Sequence, residues 1–205
     1  MKRSVTIIFI FIAIAAFPQK IDDIFKTMPN SLLPGLSEGN RTMLLVDTGR
    51  TVIPYSLGEI EKLLHLPDFL KIQTSEIGTT QLKLLPLING THIVCIIKTV
   101  CSRKVCDSSI RFYSTEWVEL DADKLLPDIS AESFFFSSKK DTENYKFALS
   151  LHNVCPVSAN FENGSDTLTL KLNLEGYLSD EQRSAIRPII ESDTIRLIWN
   201  KTSFR

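Results

Sequence analysis

The chain is 205 residues long, carries 23 Lys and Arg against 24 Asp and Glu for a formal net charge of -1, and is 43% hydrophobic and 23% charged. Scattered, nearly balanced charge excludes nucleic acid and an anionic membrane surface as main partners, because neither would meet a concentrated field of opposite sign. The length suits one compact domain or two small ones with a sizeable core.

Residues Met1 to Ala15, MKRSVTIIFIFIAIA, place two cations before an unbroken apolar run that ends in the small residues Ala13 and Ala15. This is the pattern of a cleaved export signal. The run is shorter than the roughly 20 residues that cross a bilayer core, which disfavours the alternative of a retained helical anchor. The first cysteine, Cys95, lies too far along to carry a lipid at a new N-terminus. The sequence therefore predicts an exported protein, periplasmic or extracellular, with no transmembrane anchor after processing.

After the signal, Ile21, Ile24, Phe25 and Met28 recur at helical spacing behind Asp22 and Asp23, which favour a helix start. Ser37 is a plausible N-cap for a second short helix over Arg41 to Val46, ended near Gly49. The string LGEIEKLLHL, with Leu57, Ile60, Leu63 and Leu64 on one face, predicts a third helix closed by Pro67.

The period then changes to two. In TTQLKLLPLINGTHIVCIIKTVC, Asn89-Gly90 between alternating apolar runs is a hairpin signal. With these as the two central turn residues, Ile88 pairs with Thr91, Leu84 faces Cys95 and Leu82 faces Ile97. Cys101 and Cys106 enclose a short polar loop and are expected to form a disulfide across the next hairpin. That pairing sets Ile97 against Ile110 and Cys95 against Phe112. Together the two turns predict a three-stranded meander whose core face carries Leu82, Leu84, Ile93, Cys95, Ile97, Ile110 and Phe112. The opposite face, with Lys83, Leu85, Val94, Ile96, Lys98, Arg111 and Tyr113, is mixed, and the early helices are its expected cover.

VELDADKLLPDISAE reads as a connection, and Lys139-Lys140-Asp141 as an exposed turn at a soft boundary. Beyond it the sequence predicts a strand over Tyr145 to Leu151, another over Thr167 to Leu174, a helix opened by the capping-box pattern of Ser179 and Gln182, and a last strand over Thr194 to Trp199. The expected architecture is α+β: after the signal at 1–15, short helices on an antiparallel meander over residues 20–125, then a smaller strand-strand-helix-strand unit over 140–205, packed together as one globule.

Little in the chain points to chemistry. A metal site at the cysteines is disfavoured because no Cys-x-x-Cys or His-x-His pattern occurs. Cys95 and Cys155 read as buried thiols, with a second bridge the alternative. Glu116, Glu119, Asp121 and Asp123 cluster without the ordering of a calcium loop. Of His65, His92 and His152, only His152 has a nearby thiol, Cys155, that could face it, and no third, orienting group is evident. Gly164-Ser165 lies in the turn-forming stretch Asn163 to Asp166. No catalytic residue, metal or cofactor is predicted.

Two features suggest binding. Phe134, Phe135 and Phe136 set three consecutive rings in the boundary segment, to plug a seam or to mark an interaction site. Arg111, Tyr113 and Trp117 share one parity, an aromatic-cation stripe that either binds sugar rings or peptide or lies under a helix.

The strings MPNSLLPGL, TTQLKLLPLINGTHIVCIIKTVC, DSSIRFYSTEW and GYLSDEQR, in this order behind a signal peptide, resemble a family of secreted Bacteroidales proteins catalogued as domain of unknown function 3256. The resemblance runs from about Lys20 to Trp199. It implies a Gram-negative envelope location and an antiparallel α+β domain, and it transfers no catalytic residue. The favoured reading is a non-enzymatic exported module that binds another envelope protein, a peptide or a glycan. The alternative is a small envelope hydrolase whose site is assembled from distant residues.

Overall fold

A computed structural model describes residues 19–47, 49–56, 58–103, 105–150, 156–173 and 178–205. The export signal, the His152/Cys155 pair and the end of the strand expected to reach Leu174 lie outside the described residues. Among the described residues, no helix is long and apolar enough to cross a membrane.

Helices α1 (Ile21–Thr27) and α2 (Glu38–Leu45) come first, and strands β1 (Thr51–Tyr55), β2 (Gly58–Leu66), β3 (Phe69–Gln73), β4 (Gly78–Pro86), β5 (His92–Ser102), β6 (Val105–Ser114) and β7 (Glu119–Leu120) follow. These seven strands pair in chain order as one antiparallel sheet. After α3 (Glu143–Ser150), strands β8 (Val157–Phe161), β9 (Thr167–Leu172) and β10 (Thr194–Ile198) form a second antiparallel sheet in the order β10-β9-β8, with α4 (Asp180–Ile186) between β9 and β10. The protein is α+β, as expected.

Both faces of the large sheet are buried. On one, Leu70, Ile72, Leu82, Leu84, Val94, Ile96 and Tyr113 pack with Ile21, Ile24 and Phe25 of α1 and Leu44 and Leu45 of α2. The early helices are thus the predicted cover. On the other, Leu85, Ile93, Cys95, Ile97 and Phe112 pack against the small sheet through Ala159, Phe161, Leu168, Leu170 and Leu197. Ser37 caps α2 by accepting from the Asn40 amide at 3.2 Å, and Ser179 with Gln182 forms the expected capping box on α4.

Three expectations are corrected. Residues 58–66 form strand β2, not a helix: the pairing with β3 shifts between Lys62 and Leu64, leaving Leu63 exposed. Before the irregularity Ile60 faces α1 and α2, and after it Leu64 and Leu66 face the small sheet. A one-residue bulge that switches the inward-facing side of the strand thus reproduced the spacing of a helical stripe.

The Asn89-Gly90 hairpin has the opposite face parity to that expected. The Leu87 amide donates to the Thr91 carbonyl at 2.8 Å and the Gly90 amide to the Leu87 carbonyl at 3.0 Å, which makes the loop Ile88-Asn89-Gly90. Gly90 at φ +81° supplies the left-handed residue that a three-residue hairpin loop requires. Leu84 therefore pairs with Val94 and Leu82 with Ile96, and both lie on the helix-covered side, away from Cys95 and Phe112. A slip of one residue exchanges the faces. The disulfide hairpin holds the expected register, with Cys101 opposite Cys106, Ile97 opposite Ile110 and Cys95 opposite Phe112.

The expected strand over Tyr145 to Leu151 is helix α3, in which Thr142 Oγ1 accepts from the Tyr145 amide at 3.2 Å and Tyr145 and Ala148 are buried one turn apart. The first strand of the small sheet is instead β8, VSANF, whose polar residues carry no strong strand signal. Its outer edge is satisfied by side chains of the large sheet. Val157, Ala159 and Phe161 donate their amides to Asp107 Oδ1, Ser108 Oγ and Gln81 Oε1 at 3.3, 2.9 and 3.1 Å.

Buried cations hold the layers together through main-chain oxygens. Lys62 donates to the carbonyls of Leu44, at 2.5 Å, and Asp47, and Arg41 to those of Lys26, at 3.2 Å, and Met28. Burial, only partly offset by Asp47 and Asp22, pushes Lys62 below its ordinary pKa, and burial partly offset by Glu38 does the same to Arg41. Across the other interface Lys83 meets the Gly164 carbonyl at 2.5 Å, Asp68 at 2.6 Å and Asp166 at 3.1 Å.

Candidate functional site

Strands β5 and β6 place Lys98 opposite Ser109 and Ile96 opposite Arg111, so the two cations and Tyr113 stand on the face that the N-terminal layer covers. The cover is incomplete. A cavity of about 230 Å³ remains, lined by Ser31, Leu32, Ile96, Lys98, Ser109, Arg111 and Tyr113. Lys98 Nζ donates to the Leu32 carbonyl at 2.6 Å, and burial first, then the charge of Arg111, lowers its pKa. Arg111 is exposed and has one loose carboxylate neighbour, Glu119, at 3.6 Å.

Tyr113 is 4% exposed, and its hydroxyl has no partner at hydrogen-bonding geometry. Its proximity to Arg111, and then the charge of Glu119, holds the guanidinium above its ordinary pKa, although no hydrogen bond of good geometry joins Arg111 to the Tyr113 hydroxyl. Trp117 closes the stripe, its ring 5.9 Å from that of Tyr113 and its Nε1 donating to Thr27 Oγ1 of α1 at 3.2 Å. Arg111, Tyr113 and Trp117 are therefore brought together along one side of the sheet, partly beneath the N-terminal layer.

The phenylalanine run is placed elsewhere. Phe134 and Phe135 are buried in the core against the small sheet, Phe135 with its ring 5.9 Å from that of Tyr145, while Phe136 is 37% exposed. Its main chain is tied down by Phe135 bridging Ile190 and by the Phe136 amide donating to the Ile189 carbonyl at 2.8 Å.

The other chemistry-bearing groups are dispersed. The Cys95 thiol is buried between the sheets, and burial pushes its pKa far up. His65 Nε2 lies 2.6 Å from Asp22 Oδ1, between β2 and α1. Of the carboxylate cluster, Glu119 turns to Arg111, Asp121 lies 3.3 Å from Lys124, and Glu116 lies beside Ser114. Among the described residues, no group of three or more His, Cys, Asp and Glu is placed to hold a metal.

Lys98, Ser31, Leu32 and Ser109 were not among the expected binding residues. The disulfide register already sets Lys98 beside Arg111, whereas the arrival of Ser31 and Leu32 depends on a loop far away in sequence and leaves no local signal.

The profile of a family described as "Protein of unknown function (DUF3256)" matches residues 13–204. The chain belongs to this family. Its fold is similar to that of a solved domain of an uncharacterized protein from Porphyromonas gingivalis W83, with a TM-score of 0.79 at 25% identity, covering 90% of this chain and 98% of that one. No curated protein matches. DUF3256 membership and the Porphyromonas likeness agree with the resemblance read from the sequence, and neither assigns an activity.

Proposed function

We propose that this DUF3256 chain is an exported, non-enzymatic binding module that recognises an envelope protein, a peptide or a glycan through the face bearing Arg111, Tyr113 and Trp117. The observation that carries this reading is the cavity at that stripe, where two cations and a buried, unpartnered hydroxyl converge with neither a nucleophilic thiol nor a histidine in its lining. A catalytic cysteine needs a lowered pKa and access; Cys95 has the reverse of both. The buried cations Arg41 and Lys62 are committed to main-chain carbonyls, a structural use. Export is supported by the N-terminal pattern and by the Cys101–Cys106 bridge, since disulfides persist in oxidising compartments.

The reading is tested by retaining envelope extract on immobilised mature chain and on a variant carrying Arg111→Ala with Trp117→Ala. A protein or glycan held reproducibly by the first and lost from the second supports the module. Turnover of ester, phosphoester or glycoside substrates by the purified chain, abolished by replacing His65, His92 or His152, overturns it.

A further inference from the structure

We propose that the cavity between the Ser31-Leu32 segment and strands β5 and β6 is a binding site for a carboxylate group, carried by a small free acid or by an acidic side chain of a peptide. The inference rests on the binding reading above and names the chemistry of that same site.

The charge around the cavity is unbalanced. Lys98 and Arg111 project from adjacent strands on one face, and the acidic neighbour of Arg111, Glu119, is itself exposed at 3.6 Å, where water weakens the pair. Lys98 directs one of its three donors to the Leu32 carbonyl, which leaves two for another acceptor. The Tyr113 hydroxyl is buried beside Arg111 and makes no hydrogen bond of good geometry. Folded proteins rarely tolerate such a group, and a ligand that accepts from it removes the anomaly.

A carboxylate suits these donors. It is acceptor-only and takes bonds from a guanidinium fork, an ammonium and a hydroxyl together. Phosphate sites draw heavily on free backbone amides, whereas Ile96, Lys98, Ser109 and Arg111 lie within the β5–β6 ladder. The volume, about 230 Å³, falls below the roughly 300–1,000 Å³ of pockets for drug-sized ligands, so it fits one small acidic group. The Tyr113 ring lines it, with the Trp117 ring 5.9 Å from that of Tyr113, and offers apolar surface to the chain that carries the acid.

The test is a nitrogen-15 NMR titration of the full mature chain with sodium succinate, the blocked peptide acetyl-Gly-Glu-Gly-amide, inorganic phosphate, and sodium chloride at matched ionic strength. Saturable movement of the Lys98, Ser109, Arg111 and Tyr113 amides by a carboxylate, absent with chloride, is expected. Saturation by both carboxylates points to a free acid, and saturation by the peptide alone to an acidic side chain. Arg111→Gln weakens binding about tenfold or more. Tyr113→Phe also weakens it, yet raises the melting temperature of the unliganded chain, because it removes the unsatisfied hydroxyl. A purely structural tyrosine would not show that opposition. Tighter binding of phosphate, movement equal to the chloride control, or unchanged affinity in Tyr113→Phe overturns the assignment. Each of these leaves the binding-module reading standing, since that reading falls only on its own capture and turnover results.

Discussion

Cys95 provides a pH-dependent test of how the two sheets pack. Its thiol is sealed in the core cluster between β5 and the small sheet, and burial holds its pKa far above the ordinary 9.0. In the folded chain it stays protonated at pH 10, while in the unfolded chain it is mostly ionised. The unfolded state then binds fewer protons, so stability is fully present below pH 9 and falls as pH rises beyond it. Between pH 8 and pH 10 this one group removes about 1.4 kcal/mol. Lys62, Lys71 and Lys98, whose pKa values burial lowers, act in the opposite sense and add stability on approach to their ordinary 10.5. The measurement must therefore be a difference between wild type and Cys95→Ala, in which the lysine contribution cancels. Urea unfolding of both at pH 8 and pH 10, followed by tryptophan fluorescence, is expected to show the wild type losing about 1.4 kcal/mol relative to the variant, a relative midpoint shift of ~0.7 M for an m-value near 2 kcal/mol/M. Equal pH dependence in the two proteins would mean that Cys95 ionises as freely when folded as when unfolded, and the seal between the sheets would be refuted.

Replacing Cys101 and Cys106 together by Ser is expected to lower stability by about 2 kcal/mol, the loop-entropy value for so short a ring; reduction of the wild type by dithiothreitol should reproduce the loss, and an unchanged midpoint would contradict it. The Lys83 cluster is asymmetric, with the lysine side chain 2% exposed and its partners Asp68 and Asp166 49% and 44% exposed. Lys83→Met leaves carboxylates that water can solvate and costs about 1–3 kcal/mol for the Gly164 carbonyl, whereas Asp68→Asn with Asp166→Asn strands a buried cation at about 3–5 kcal/mol; thermal unfolding giving the reverse order would contradict the geometry. Gly90 and Gly164 both adopt positive φ, but a Cβ at Gly90 meets nothing within 4 Å while one at Gly164 comes within 2.6 Å of Leu66 and 3.2 Å of Phe69. Gly90→Ala should cost about 1 kcal/mol and Gly164→Ala about 1–3 kcal/mol more through overpacking; equal melting temperatures would count against the close approach of that turn to β2 and β3.

Local signals were legible where one residue decides one geometry. Ser37 and Ser179 cap the helices expected of them, and the paired cysteines set the β5–β6 register. Reading failed where the usual contrast between a wet and a dry face was missing. Because helices cover one side of the large sheet and a second sheet the other, both Leu84 and Leu85 are buried, so apolar residues alone could not choose between the two registers of the Asn89-Gly90 turn. Lys83 was assigned for the same reason to the face expected beneath the early helices, and it lies on the opposite one. It is buried there because Asp68, Asp166 and the Gly164 carbonyl, the last two about 80 residues away, complete its coordination. The bulge at Leu63, by moving the inward-facing side of β2 from one sheet face to the other, likewise produced an apparent helical stripe.

The same burial explains why the proposed site was only half visible. Lys62 and Arg41 each meet two main-chain carbonyls, with Arg41 Nε left unpaired, and Lys83 meets one carbonyl and two carboxylates, so most of their donors are used within the fold. Lys98 shares their situation in part, being desolvated and bound to the single carbonyl of Leu32, but it opens onto the cavity with Arg111 and Tyr113. A cation that served only to fasten the N-terminal layer would gain nothing from a second cation beside it, since the Arg111 charge helps to lower its pKa. Keeping the two together with an unsatisfied hydroxyl costs the free protein stability, and an anion that engages all three recovers it. The proposed carboxylate site would account for an arrangement that the packing of the fold alone does not require.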